Sequence, residues 1–235
     1  MREVTPTIRA RIANSGFTLV AGQAVEGLTS RMRNSSLKRR LGVSRVLIRS
    51  GYFIAGLEHI KMGDNFDAGK GLWLEAVTRH RTQIFTPRIV IGDNVSVSFW
   101  CHIAAVNLIT IGDNVMMGSK VLIIDHNHGS YGPLVHDNPD TPPSSRTLTS
   151  GPVLIGDNVW IGDGAVITPN STIGSGSVIG ANAVVTGAIP ANSIAVGIPA
   201  RVIRQFDTSL QQWVPARLNI SKPESNVPDQ LSDIV

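Results

Sequence analysis

The stretch Ile155–Val185, IGDNVW IGDGAV ITPNST IGSGSV IGANAV V, returns an aliphatic residue at every sixth position: Ile155, Ile161, Ile167, Ile173, Ile179 and Val185. A helix repeats at about 3.6 residues and a half-buried strand at about 2, so this period belongs to neither. Four positions after each of the first five stands a small or β-branched residue: Val159, Ala165, Ser171, Ser177 and Ala183. Glycine directly follows four of the aliphatics, as Gly156, Gly162, Gly174 and Gly180. The pattern describes a coil of short strands that turns every six residues, with the aliphatic side chain inward and the small one beside it. Self-similarity of this kind marks a β-helix solenoid.

Working outward, Ile91-Gly92-Asp93-Asn94-Val95 carries the same motif, followed in step by Val97 and Ile103. Ile111-Gly112-Asp113-Asn114-Val115 arrives eight residues after Ile103, so two extra residues bulge from a corner before Met117 and Ile123 resume the period. Asn and Gly suit such corners because they tolerate turn conformations, and Asp accepts bonds from nearby backbone N–H groups. Upstream, Met62-Gly63-Asp64-Asn65-Phe66, Ala68 and Leu74 form a degraded repeat, as expected near a solenoid end. The period stops between His128 and Val153, where Pro133, Pro139, Pro142 and Pro143 punctuate a segment too long for another coil. Loops of that length are functional or disordered, and the His pair at its root favours the former. The chain therefore divides into an N-terminal cap with some helix (1–45), a solenoid (46–204) with a protruding loop (129–152), and a C-terminal extension (205–235). A short helix or strand is expected near Trp213, then a disordered tail.

Composition agrees with a narrow interior: 23 glycines, 5% aromatic residues and only 16% charged residues in a chain of 235. The single cysteine, Cys101, excludes an intrachain disulfide framework and suits a reducing compartment, so a cytoplasmic location is expected. No signal peptide or membrane span is legible near the start. Charge is uneven. Residues 1–50 hold ten Arg or Lys against Glu3 and Glu26, leaving a net −4 for the remainder. Such a segment is either a solvated arm or a surface for the phosphates of a lipid-linked substrate or an anionic membrane face.

These repeats resemble the hexapeptide-repeat acyltransferases, particularly the maltose, galactoside and surface-polysaccharide O-acetyltransferases. The resemblance covers about residues 60–204 and includes the exit Gly197-Ile198-Pro199-Ala200-Arg201. It implies an all-β, left-handed parallel β-helix, a handedness that the roughly 98% right-handed preference of parallel crossovers would not suggest. It further implies a homotrimer with acetyl-CoA as donor, a sugar or glycan acceptor, no nucleic acid and no metal. Association with membrane-bound glycan intermediates is a further implied partner.

His128 lies 17 residues after Ile111, the place of the family's catalytic histidine. An acceptor hydroxyl must lose its proton as it attacks a thioester, and imidazole titrates near pH 6.5, so a histidine general base suits the chemistry. His126 is the reserve, structural or an acceptor contact, and Ser98 takes a place where related enzymes hold the sugar. By the same correspondence Trp160, Asp163, Ala181, Thr186, Gly187, Arg201 and Arg204 are the coenzyme A contacts. Asp163 stands where the family has a small serine, and Gly187 where it commonly has a lysine. The arginines suit phosphate, to which guanidinium gives two-point contacts. Cys101 and His102 are strand neighbours pointing to opposite faces, hence badly placed as a nucleophile pair. The runner-up function is a zinc-dependent, carbonic-anhydrase-like hydratase with His102, His126 and His128 as ligands, although their spacing differs from that family's. A catalytically silent scaffold and an N-acetyltransferase acting on an amino sugar complete the range of functions that the sequence allows.

Overall fold

The computed structural model describes residues 29–216 apart from 31 and 133. Most of the expected cap and most of the expected C-terminal tail therefore lie outside the described residues. Within them the six-residue period becomes a three-sided prism of parallel strands. The first face carries Val46–Ile48, Phe66–Ala68, Ser96–Val97, Met116–Met117, Trp160–Ile161, Val178–Ile179 and Ser193–Val196. The second carries Phe53–Ala55, Trp73–Ala76, His102–Ala105, Leu122–Ile124, Val166–Ile167 and Val184–Val185. The third carries Ile60–Met62, Arg88–Ile91, Leu108–Ile111, Val153–Ile155, Thr172–Ile173 and Ala188–Ile189.

Register stacks like on like. Met117 pairs with Ile161 and Ile161 with Ile179 on the first face. Leu74, Ile103, Ile123, Ile167 and Val185 form a fully buried column on the second. Each aliphatic so buried stabilises the fold by roughly 1.5–3 kcal/mol before entropy is counted, which is why the period survives where composition varies.

The Gly-Asp-Asn corners have a physical reason at each letter. Asn94, Asn114 and Asn158 adopt φ of 57°, 57° and 56°, the left-handed turn conformation that asparagine tolerates. The aspartates accept backbone N–H groups from the preceding coil: Asp93 from Asp64 at 2.7 Å, Asp113 from Asp93 at 2.7 Å, Asp157 from Asp113 at 2.8 Å. Gly112 is needed because a Cβ there would lie 2.2 Å from Asp157 Oδ1.

Both ends of the prism are closed. A helix over 32–41 covers the first coil, with Leu37 joining the core. Asn34 bonds the backbone N–H and C=O of Ile48 at 3.0 and 3.3 Å, satisfying groups that an edge strand would otherwise expose. At the far end the chain reverses. Strand Arg201–Asp207 runs antiparallel to Ser193–Val196, and Gln212–Pro215 pairs with it in turn. The extension near Trp213 is thus a strand, and the sheet continues through position 204. Among the described residues no helix is long and apolar enough to cross a membrane.

Two hairpins interrupt the prism, both between the second and third faces. One is the expected long loop, rooted in antiparallel strands His126–His128 and Leu148–Ser150. The other, Arg79–His80 with Gln83–Ile84, lies two coils earlier, in the region where the sequence period is degraded.

Candidate active site

The two-residue insertion before Ile111 falls at the corner formed by Val106 and Asn107, and it has a use. Asp125, fully buried one coil on, accepts both of their N–H groups, at 2.9 and 2.7 Å. Its Oδ1 also lies 3.0 Å from Nδ1 of half-buried His126. His126 is thereby tethered to the core. His128, two residues further along the same strand, is exposed.

His128 is held instead by the arm it opens. Its backbone faces Leu148, its carbonyl accepts the Tyr131 hydroxyl at 2.5 Å, and Arg146 Nη1 bonds that hydroxyl at 2.7 Å. Arg146 also binds the carbonyls of Pro139 and Thr141, while Asp137 accepts the N–H of Ser130, so residues 137–146 are tied to the root of the arm. The His80 ring meets that of His128 edge-on, with centroids 5.2 Å apart and planes at 82°. The sequence alone assigns His80 nothing, because the second hairpin that presents it leaves no trace beyond a lost period.

His102 points outward beside Trp73, ring centroids 4.9 Å apart, while Cys101 is buried with its Sγ 3.0 Å from the Gly118 carbonyl. The two face opposite ways, as expected. Burial pushes the Cys101 thiol up. Burial also lowers the His102 pKa, opposed by Glu75 and reinforced by His126. Among the described residues no three His, Cys, Asp or Glu side chains are grouped to share an ion, and the His128 ring lies against His80, a histidine outside the zinc-ligand set of His102, His126 and His128.

Most of the other predicted residues lie elsewhere. Trp160, Asp163 and Ala181 line one groove of about 360 Å³ with Gly162, Val178, Ile179 and Gly180. The Asp163 carboxylate accepts the Ser119 N–H at 2.6 Å, so the side chain shapes a corner of the prism. Ser98 lines an adjoining groove with Met116 and Trp160, and its Oγ lies 3.0 Å from that of Ser119. Ser98 and His126, both expected on the acceptor, sit at opposite edges of the second face.

Arg201 and Arg204 are three apart on one strand, a spacing that normally faces opposite sides. A bulge at Ile203 changes this. Arg201 pairs with Val196 and Arg204 with Ile194, which puts both arginines on the outer side. The register then runs Trp160 to Val178, Val178 to Ile194 and Ile194 to Arg204. Arg204 therefore lies in the same row as Trp160, three strands on and about 14 Å away at ~4.8 Å per strand. Thr186 and Gly187 are not in this row. They lie between the second and third faces, at the corner the histidines leave two coils earlier.

Residues 152–187 match the sequence profile of the bacterial transferase hexapeptide (six repeats). The WbbJ protein of Escherichia coli strain K12, named for an O-acetyl transferase of lipopolysaccharide biosynthesis, is 39% identical over 173 residues, which cover 72% of this chain and 84% of WbbJ. The chain belongs to the hexapeptide-repeat transferase family. It is an acetyltransferase. The galactoside O-acetyltransferase of the same organism is 37% identical over 139 residues, covering 59% of this chain and 63% of that relative. In fold, the left-handed solenoid superposes with a TM-score of 0.55 on AntD, an N-acyltransferase from Bacillus cereus solved with dTDP and 3-hydroxybutyryl-CoA. That likeness, at 20% identity over 72% of this chain and 84% of AntD, concerns the fold alone.

Proposed function

We propose that this acetyltransferase moves the acetyl group of acetyl-CoA to a sugar hydroxyl of a surface polysaccharide or related glycan, with His128 as general base. The observation that carries the reading is an exposed imidazole whose backbone, carbonyl and ring are each fixed by a separate partner. The 39% identity to a protein named for lipopolysaccharide O-acetylation supports the acceptor class. The His128 imidazole takes the proton from the acceptor hydroxyl as its oxygen attacks the thioester carbonyl. Backbone N–H groups stabilise the oxyanion, and collapse of the intermediate expels the CoA thiolate, which recovers the proton. No covalent enzyme intermediate is formed.

The donor lies along the first face, its acyl arm in the groove of Trp160 and Ala181 and its phosphates toward Arg204 and Arg201. The histidine corner is on the other side of the second face, where Thr186 and Gly187 also lie. This separation is our reason for proposing a homotrimer in which the donor row of one copy meets the histidine corner of the next. The enzyme is proposed to work in the cytoplasm, against membrane-bound glycan intermediates.

The test compares His128→Ala with His126→Ala, following thiol release from acetyl-CoA over a panel of sugars, nucleotide sugars and lipid-linked glycans. Loss of the base should lower kcat by roughly 10²–10⁴-fold with CoA affinity intact, and His126→Ala should cost far less. The reverse pattern moves the base to His126, and turnover in both variants overturns the mechanism.

A further inference from the structure

We infer that His80 is a positioning residue for His128, delivered to it by a hairpin two coils away; the inference rests on the reading of His128 as the base. His80 and His128 stand 48 positions apart in the chain, yet their rings meet edge to face at 5.2 Å and 82°. That geometry is a favoured aromatic contact, in which the positive edge of one ring meets the negative face of the other.

The contact is held by a clasp between the two hairpins. Leu148, opposite His128 in the arm, gives its N–H to Gln83 Oε1 at 2.7 Å, and its carbonyl accepts Gln83 Nε2 at 3.2 Å. A side-chain amide thus pairs with the free edge of the arm as another strand would. Arg81 Nη1 adds a bond to the Ser144 carbonyl at 3.0 Å. Residues 80, 81 and 83 therefore all touch the arm, and of these His80 is the one whose ring meets the catalytic ring.

A third observation separates ring packing from polar chemistry. Nε2 of His80 is buried and has no hydrogen-bond partner among the described residues. A buried nitrogen left unpaired is destabilising, and a phenyl ring of similar shape avoids that cost. The contribution of His80 to His128 is accordingly the shape and orientation of its ring. An imidazole base on an exposed strand otherwise samples several rotamers, and small misplacement of a reacting group is enough to cost one or two orders of magnitude in rate.

The experiment measures kcat and KM for acetyl-CoA in His80→Ala, His80→Phe, His128→Ala and the double variant His80→Ala/His128→Ala, with far-UV circular dichroism and light scattering as folding controls. His80→Ala should lower kcat about tenfold or more while KM for acetyl-CoA moves less than about twofold. His80→Phe should recover most of that kcat and melt no lower than wild type. In the double variant the loss should equal that of His128→Ala alone, because a positioning residue has nothing left to position. A folded His80→Phe with the low kcat of His80→Ala overturns the inference, as do losses that multiply in the double variant. Full turnover in His80→Ala beside an inactive His128→Ala overturns this inference alone. Turnover surviving in His128→Ala overturns the base assignment and this inference with it.

Discussion

The Nδ1 of His126 lies 3.0 Å from a carboxylate oxygen of Asp125 that is already committed to the backbone of the neighbouring coil. The pair is therefore as much a fold element as a site element. Asp125 is fully buried, and its two oxygens are the acceptors for the N–H groups of Val106 and Asn107.

Removing that carboxylate leaves two backbone donors without their acceptor next to the core. Each costs on the order of 1–3 kcal/mol. Asp125→Ala should therefore lose about 2–4 kcal/mol in urea denaturation, and Asp125→Asn, which keeps one acceptor oxygen, about half. If Asp125→Ala is within about 0.5 kcal/mol of wild type, the corner does not depend on the carboxylate.

How much of this is legible in the sequence follows from what repeats. Ile155, Ile161 and Ile167 repeat because the same interior is built again in every coil, so the solenoid, its corners and the long arm can be read directly. Trp160, Asp163 and Ala181 converge because their spacing follows that repeat. The bulge at Ile203, which swings Arg204 onto the outer row, breaks the period once and has no counterpart to compare with. The contact between His80 and His128 joins two insertions that share no pattern, and only their common exit corner brings them together.

Glycines at different corners of the solenoid should differ sharply in tolerance. A Cβ on Gly112 would lie 2.2 Å from Asp157 Oδ1 and 2.7 Å from backbone of the next coil, whereas Gly187 has nothing within 4 Å. Gly112→Ala must displace the carboxylate that accepts the Asp113 N–H, so a loss of about 1–3 kcal/mol is expected. Gly187→Ala should change stability by less than about 0.5 kcal/mol. Thermal melts of the two variants check this, and equal losses would remove the close-stacking argument.

The row from Trp160 to Arg204 makes a prediction about the donor alone. Charge-assisted contacts to phosphate contribute about 1.5–3 kcal/mol, so replacing Arg201 and Arg204 together by alanine should weaken CoA binding at least tenfold by calorimetry. Ala181→Phe should fill the groove beside Trp160 and also weaken binding, with the melting temperature unchanged because Ala181 is exposed. Losses below twofold in both variants would move the donor off this face.

His102 should make stability depend on pH just below neutrality. Burial beside Trp73 and Leu122 disfavours its charged form, His126 acts in the same direction, and Glu75 opposes them, leaving its pKa below the ordinary value. An unfolded chain takes up this proton near pH 6.5. Between the lowered folded value and about 6.5 the unfolded state holds more protons, so stability rises with pH across that window and falls as the solution is acidified through it. Asp64, whose carboxyl is held below the usual carboxylate range by the Ser44 backbone N–H, titrates far below this window and does not confuse it. The melting temperature should therefore drop between about pH 7.5 and pH 5.5, and His102→Gln, which cannot be protonated there, should flatten part of that slope. If wild type and His102→Gln show the same slope, the outward face of this strand is more solvated than its place beside Trp73 implies.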